Sequence, residues 1–291
     1  MTKKSNTSGK HSARPFLKWV GGKGQLLNAM SPLLPVQYQS FYEPFSGGGA
    51  VFFHLLPETA HVNDINKKLI ATYKTIKSHP MSLIDILRNI ESEYIALSEV
   101  DRKDYFLEKR VAFNKDSNSD LDTAALMIFL NKTCFNGMYR ENSKGEFNVP
   151  FGKYVKPNIC DEENLNLCSK ALKKVKLTST GYAKAVESAG KGDFVYLDPP
   201  YDPLSNTSSF TSYSKDSFAK QEQIDLRDLF VDLDKRGCYV MLSNSATYFI
   251  KDIYKGYNLN IVRARRSINS KASERGEINE IVITNYEVEK L

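Results

Sequence analysis

Apolar positions along the chain alternate between two periods. Phe41 to Phe45 is a short apolar run that breaks into Ser46-Gly47-Gly48-Gly49, and Ala50 to Leu56 follows at helical spacing. Ala60 to Val62 is a second short run ending at Asn63-Asp64, after which Leu69, Ile70, Tyr73 and Ile76 recur every three or four positions. Short strands alternating with amphipathic helices predict an α/β unit with a parallel sheet. The alternation then stops. Leu83, Ile86, Leu87, Ile90 and Tyr94 mark one helix and residues 121–131 another, and 134–158 is a polar, aromatic stretch punctuated by Gly and Pro, without a period. A loop of that length inside a compact domain is either functional or a misread element. Residues 78–165 therefore read as a mostly helical insertion with one long loop. The α/β pattern resumes with a weak strand at Val175 to Leu177 and a strong one at Asp193 to Leu197, which runs into Asp198-Pro199-Pro200-Tyr201. Leu226, Leu229, Phe230 and Leu233 mark an amphipathic helix. Tyr239 to Leu242, Leu259 to Val262 and Ile281 to Thr284 are further strands, the last two suited to antiparallel pairing. The expected organisation is a disordered basic arm over 1–13, a catalytic domain over 14–77 and 166–291, and a target-recognition domain over 78–165.

Composition narrows the class. With 291 residues, 41% hydrophobic and 25% charged, the chain can build a core, which excludes disorder as its dominant state. The longest clean apolar run, Ala124 to Leu130, is far short of the roughly 20 residues that cross a bilayer. No secretory signal follows Lys3 and Lys4, so the expected location is the cytoplasm, with no membrane partner. The net charge of +6 permits nucleic acid as a partner without demanding it. Cys134, Cys160, Cys168 and Cys238 form no C-x-x-C pair and only four His are present, so neither a metal site nor a disulfide framework is expected.

Two motifs carry chemistry. In Glu43-Pro44-Phe45-Ser46-Gly47-Gly48-Gly49, glycines between a strand and a helix let the backbone approach a ligand, and Asp64 ends the next strand where an acid would bind ribose hydroxyls. The segment lacks a full G-x-G-x-x-G and is poor in positive charge, which suits an adenosine without phosphates, as in S-adenosylmethionine; a plain tight turn is the bland alternative. Gly21-Gly22-Lys23-Gly24 is not a Walker A loop, because Gly rather than Ser or Thr follows Lys23. Trp19, the only tryptophan, packs either on a ligand or in the core. The second motif, Asp198-Pro199-Pro200-Tyr201, closes a strand. The prolines stiffen the backbone and supply carbonyl acceptors, Asp198 adds a carboxylate, and Tyr201 offers a flat face. Two acceptors on the N–H bonds of an exocyclic amine favour a pyramidal nitrogen whose lone pair can attack an electrophilic methyl. No cysteine has a flanking base that would make it a nucleophile.

At these residues the chain resembles the Dam-type DNA adenine-N6 methyltransferases. The likeness is carried by Phe16-Leu17-Lys18-Trp19-Val20-Gly21-Gly22-Lys23, by Glu43 to Gly49 and by Asp198 to Tyr201. It extends through Phe135 to Arg140, Gly145 to Gly152, Ser208 to Tyr213 and Arg265-Arg266-Ser267, covering nearly everything after the N-terminal arm. Within that family it looks nearest to the GATC-specific modification methylases of DpnII-type restriction systems. The resemblance implies an α/β Rossmann-like S-adenosylmethionine-dependent methyltransferase sheet with an inserted, mostly helical DNA-recognition domain. It implies cofactor contacts at Trp19, Lys23, Glu43, Phe45, Gly47, Gly49, Asp64, Tyr182 and Asp198, and catalysis by Asp198, Pro199, Pro200 and Tyr201. Gly181-Tyr182 stands where relatives often carry Asp-Phe. For DNA it implies Phe135 as the residue filling the base stack, Arg140 as a guanine reader, Met138 and Pro150 as apolar base contacts, and Lys18 and Asn136 at the recognition site. Arg265 and Arg266, in a basic cluster with Arg263, Lys271 and Arg275, would attract the phosphate backbone; a solvated basic loop is the competing reading. The implied partner is double-stranded DNA, with the target adenine flipped from the helix. A cognate restriction endonuclease acting on the same site, without a stable complex, accompanies the restriction-system likeness. Two other readings remain: an amino methyltransferase for cytosine N4 or RNA, though cytosine-N4 enzymes more often carry Ser at the position of Asp198, and a non-enzymatic DNA-binding protein keeping the fold.

Overall fold

The computed structural model describes residues 12–204, 218–265 and 277–287. Residues 1–11 of the N-terminal arm, the motif Ser208 to Tyr213, and Arg266, Ser267, Lys271 and Arg275 lie outside the described residues, while Ala13 at the end of the arm is buried. The chain divides into two compact units. One comprises the stretch up to Val20, Lys68–Glu141 and Phe147–Lys174, and the other Gly21–Lys67, Asn142–Glu146 and the chain from Val175 onward. These bounds run differently from 78–165, taking in the helix that begins at Lys67.

The second unit is built on one sheet. Its strands are β1 (Phe41–Glu43), β2 (Ala60–Asn63), β3 (Val175–Thr178), β4 (Phe194–Leu197), β5 (Tyr239–Ser245), β6 (Asn258–Arg265) and β7 (Glu277–Thr284), in the order β3-β2-β1-β4-β5-β7-β6. The first five are mutually parallel, while β7 runs antiparallel to both β5 and β6. Phe194 to Leu197 are all buried, as expected of a parallel strand covered on both faces. One side of the sheet packs Val195, Leu197, Val240, Leu242, Ile281 and Ile283 against Leu226, Phe230 and Leu233 of the helix Lys220–Lys235. Strand order reverses between β1 and β4, and ligands of open α/β sheets bind outside the carboxyl ends at such a switch point. The glycine turn follows β1 and Asp198 follows β4. A Rossmann-like α/β fold is what this sheet builds.

The first unit is helical, with Lys67–Ser78, Pro80–Ala96, Glu99–Phe113, Asp120–Thr133 and Glu162–Leu172. Ser98 and Ser119 cap two of these helices by accepting the N–H groups of Asp101 and Asp122. Asp120–Thr133 is central: Ala124 to Leu130 are all buried, which explains an apolar run without a polar face. Its Phe129 packs on Tyr94 and Phe106, and these three, with Phe113, have no exposed surface. The 134–158 stretch is more ordered than its lack of period suggests. Cys134 bridges Phe151 and Glu141 bridges Phe147 antiparallel, and Phe147 and Val149 are buried anchors.

Candidate active site

The glycine turn owes its shape to backbone that only glycine adopts easily. Gly47 and Gly49 have φ of 48° and 69°, so the chain reverses sharply and Gly49 N–H donates to Ser46 O at 2.7 Å. Asp64 Oδ2 accepts the Gly47 N–H at 2.9 Å, and Oδ1 accepts the Asn66 N–H at 2.9 Å. Asn63, fully internal, ties three strand ends together. Its Nδ2 donates to Pro44 O and Thr180 O, and its Oδ1 accepts from Thr178 and Thr180. Phe45 stacks on Tyr182, ring centroids 5.2 Å apart, with Phe218 6.1 Å from each. Beneath the turn, Glu43 accepts the Phe52 N–H while its Oε2, like Ser46 Oγ, is buried without a hydrogen-bond partner. Burial first, then the neighbouring Asp198 and Asp64 charges, pushes the Glu43 carboxyl well above its ordinary range. Asp64 is raised by burial against the opposing pull of its two backbone donors.

At the end of β4, Lys23 Nζ lies 2.7 Å from Asp198 Oδ1 and donates to Gly21 O at 2.7 Å. The same ammonium sits 4.7 Å from the Tyr201 ring centroid. Burial raises the Asp198 carboxyl and Lys23 opposes that shift. Tyr201 is held from the other side: its hydroxyl donates to Glu280 Oε2 on β7 at 2.7 Å. The Pro200 carbonyl does not stand free. It accepts from Gln223 Nε2 at 3.0 Å, so among the described residues the proline carbonyl left for a ligand is that of Pro199. The second unit thus brings together Lys23, Glu43, Phe45, Gly47, Gly49, Asp64, Tyr182 and Asp198 to Tyr201. Glu280, Gln223 and Asn244 are neighbours that the sequence did not single out.

The first unit gathers Lys18, Trp19, Phe135, Asn136, Met138, Arg140 and Pro150. Trp19 is half-buried and stacks on Tyr139, centroids 4.7 Å apart. Phe135 is 53% exposed, unusual for so large an apolar side chain, and Asn136 beside it adopts φ 58°. The Phe135 N–H donates to the Pro150 carbonyl at 2.8 Å. Asn131, buried, organises the turn: its Oδ1 accepts the Lys18 N–H, and its Nδ2 donates to Lys18 O and Gly137 O. Arg140 is exposed, with Nε on Asn148 Oδ1 at 2.8 Å, which steadies the guanidinium and leaves Nη1 for a ligand. Arg265 is the last residue of β6, paired with Glu277.

The thiols take no part. Burial pushes Cys134, Cys160 and Cys238 up to about 11 and Cys168 up to about 12, so each stays protonated near neutrality. Among the described residues, no group of His, Cys, Asp and Glu could hold a metal ion, and no helix is long and apolar enough to cross a membrane.

Comparison with known proteins gives the family. The chain is 44% identical over 282 residues to the type II methyltransferase M1.LlaDCHI of Lactococcus lactis subsp. cremoris, covering 95% of this chain and 97% of the relative. It is 44% identical over 286 residues to the type II methyltransferase M.MjaIII of Methanocaldococcus jannaschii, covering 94% and 99%. It is 34% identical over 269 residues to the DNA adenine methylase of Escherichia coli K12, covering 92% and 94%. The description of D12 class N6 adenine-specific DNA methyltransferases matches residues 19–268. A sheet that is parallel over β1 to β5, with a glycine turn and an Asp-Pro-Pro-Tyr end at its switch point, is thus the scaffold of an enzyme that methylates adenine in DNA, and the chain belongs to the D12 class N6 adenine-specific DNA methyltransferases.

Proposed function

We propose that the chain takes the methyl group from S-adenosylmethionine and places it on N6 of the adenine in GATC, in double-stranded DNA. The observation that carries the reading is the adjacency of the glycine turn and Asp198 at the ends of neighbouring strands β1 and β4. The residues suit that donor. Glu43 Oε2 and Ser46 Oγ are buried polar atoms in want of partners, Asp64 has lone pairs for ribose hydroxyls, and Phe45 and Tyr182 form an aromatic wall for a purine. Trp19, Lys23, Gly47, Gly49 and Asp198 complete the proposed contacts. When bound, the donor supplies an electrophilic methyl on a sulfonium.

This chain's own work is on the acceptor. Asp198 Oδ and Pro199 O accept the two N6–H bonds of the flipped base, drawing the nitrogen toward a pyramidal geometry and freeing its lone pair. Lys23 opposes the burial that raises Asp198 and so favours its carboxylate form. Tyr201, fixed through Glu280, stacks on the extruded ring, which can offset the few kcal/mol that flipping costs. The surplus proton on the methylated nitrogen leaves toward Asp198 and solvent. In the first unit, Phe135 fills the vacated stack, Arg140 reads a guanine, and Lys18, Asn136, Met138 and Pro150 contact neighbouring bases. Arg265 and Arg266 attract phosphates. We assign recognition mainly to 78–165, with Lys18, Arg265 and Arg266 adding DNA contacts from outside it, and catalysis to 14–77 and 166–291. Two relatives are named type II methyltransferases, and we read the chain as acting in the cytoplasm in a restriction-modification setting, with an endonuclease reading the same site independently.

A labelled-methyl assay on duplex DNA, single-stranded DNA and RNA, with Asp198→Ala as control, tests the chemistry. The expected result is transfer to duplex adenine that the substitution abolishes while a folded, DNA-binding protein remains. Digestion of the product with nucleases sensitive to adenine methylation at GATC tests the site. Methylation elsewhere would overturn that part of the reading.

A further inference from the structure

The structure assigns Gln223 and Asn244 a positioning role for the catalytic strand end: a two-amide relay that fixes the Pro200 carbonyl and thereby presents Pro199 and Asp198 to the target amine. The assignment rests on the proposed role of Asp198 and Pro199 in binding that amine.

Both residues are fully buried, with no exposed surface. Gln223 lies in the first turns of the helix Lys220–Lys235, and Asn244 near the end of β5. Gln223 Nε2 donates to Pro200 O at 3.0 Å, Asn244 Nδ2 donates to Gln223 Oε1 at 3.0 Å, and Asn244 Oδ1 accepts the N–H of Asp202 at 3.0 Å and of Ser245 at 2.8 Å. The relay therefore begins and ends on the loop that carries the catalytic residues. Its direction is not arbitrary. A backbone N–H can only donate and a carbonyl can only accept, so the Asp202 and Ser245 N–H groups fix Asn244 Oδ1 inward. That leaves Nδ2 facing Gln223, which fixes Gln223 Oε1, which in turn leaves Nε2 facing Pro200. Every link is determined by the two ends.

The chemistry needs such a restraint. Pro199 and Pro200 have no N–H, so the strand end cannot be tied down by its own backbone donors. Consecutive carbonyls in an extended loop point in different directions. Anchoring Pro200 O on Gln223 and Asp202 N–H on Asn244 holds the loop on both sides of Tyr201 and leaves Pro199 O for a ligand. Placement of a reacting group within about 1 Å can be worth on the order of a hundredfold in rate.

The experiment measures single-turnover methyl transfer at saturating cofactor and DNA for Gln223→Leu, Asn244→Asp and the double variant. Melting temperature and affinity for S-adenosylhomocysteine are read alongside, with Asp198→Asn in parallel. Asn244→Asp keeps the acceptor for Asp202 and Ser245 but removes the donor to Gln223, so the Gln223 amide can turn its oxygen to Pro200. We expect each single variant to lose about tenfold or more in rate with S-adenosylhomocysteine affinity within about twofold of wild type, and the double variant to be no slower than the slower single. If Gln223→Leu does not fold, Gln223→Glu, which retains the acceptor for Asn244, is read in its place. Folded single variants with wild-type rates, or multiplicative losses in the double, overturn the relay. If Asp198→Asn itself retains full transfer, the catalytic assignment fails instead.

Discussion

Lys23 Nζ and Asp198 Oδ1 meet at 2.7 Å within the second unit, an ion pair between a buried lysine and a partly buried aspartate at the strand end that carries the proposed chemistry. Burial raises the Asp198 carboxyl and Lys23 counters it, so removing Lys23 lifts it further. The form that accepts an amine N–H is the carboxylate. Lys23→Met should therefore move the acid limb of the single-turnover rate toward higher pH. Activity near neutrality should fall by about tenfold or more and recover in part as pH rises. A pH–rate profile with an unmoved acid limb would detach Lys23 from the ionisation of Asp198.

Glu43 makes a stability prediction of definite sign. Its carboxyl is raised in the fold, so the folded state keeps a proton that the unfolded chain releases in the ordinary carboxylate range. The stability it contributes is present below that range and is lost as pH rises toward the folded value. Glu43→Gln removes this loss. Its melting temperature should exceed wild type by about 2 °C or more at mildly alkaline pH and converge with it in acid, while cofactor affinity falls. Scanning calorimetry across that range, with isothermal titration of S-adenosylhomocysteine, checks both halves; parallel melting curves would refute the first.

In the recognition turn, Gly137 has φ 65°, and a Cβ there would lie 2.7 Å from the Lys18 side chain and 3.3 Å from Asn131 O. Gly137→Ala should displace Lys18 and Phe135 at a cost of about 1–2 kcal/mol. Asn131→Ala should act in the same direction by freeing the carbonyls of Lys18 and Gly137. Both variants should bind DNA more weakly by about tenfold while retaining cofactor affinity. Equal loss of both affinities would mean the turn does not serve DNA alone.

Arg140 owes its pose to Asn148. Arg140→Ala should relax discrimination at a single guanine by about 1–3 kcal/mol, and Asn148→Ala by less. Relative rates on substrates altered at each position give the answer; uniform weakening across all of them would instead indicate a phosphate contact.

Strand positions and both motifs were legible because parallel strands are buried on two faces and leave compact apolar runs, as at Phe194 to Leu197. The helix Glu99–Phe113 was not, because its buried residues are Phe106 and Phe113 and charge fills most of the rest. The hairpin closed by Cys134 with Phe151 was hidden because isolated bridges impose no alternation. The main misreading concerned the prolines: both carbonyls counted as free acceptors, yet Gln223, distant in sequence and ordinary for a helix, takes the one at Pro200. Asn131 did carry a signal, an amide closing the apolar run Ala124 to Leu130, where a polar group needs internal partners. Glu280 carried none, since its role depends on β7 lying next to β5.

Because β7 inserts between β5 and β6, the residue that holds the Tyr201 hydroxyl is encoded after every other part of the pocket. A nascent chain can assemble its glycine turn and Asp-Pro-Pro-Tyr corner while still lacking Glu280. Competence to modify DNA would then arrive late in synthesis, so that ribosome-bound fragments remain inert.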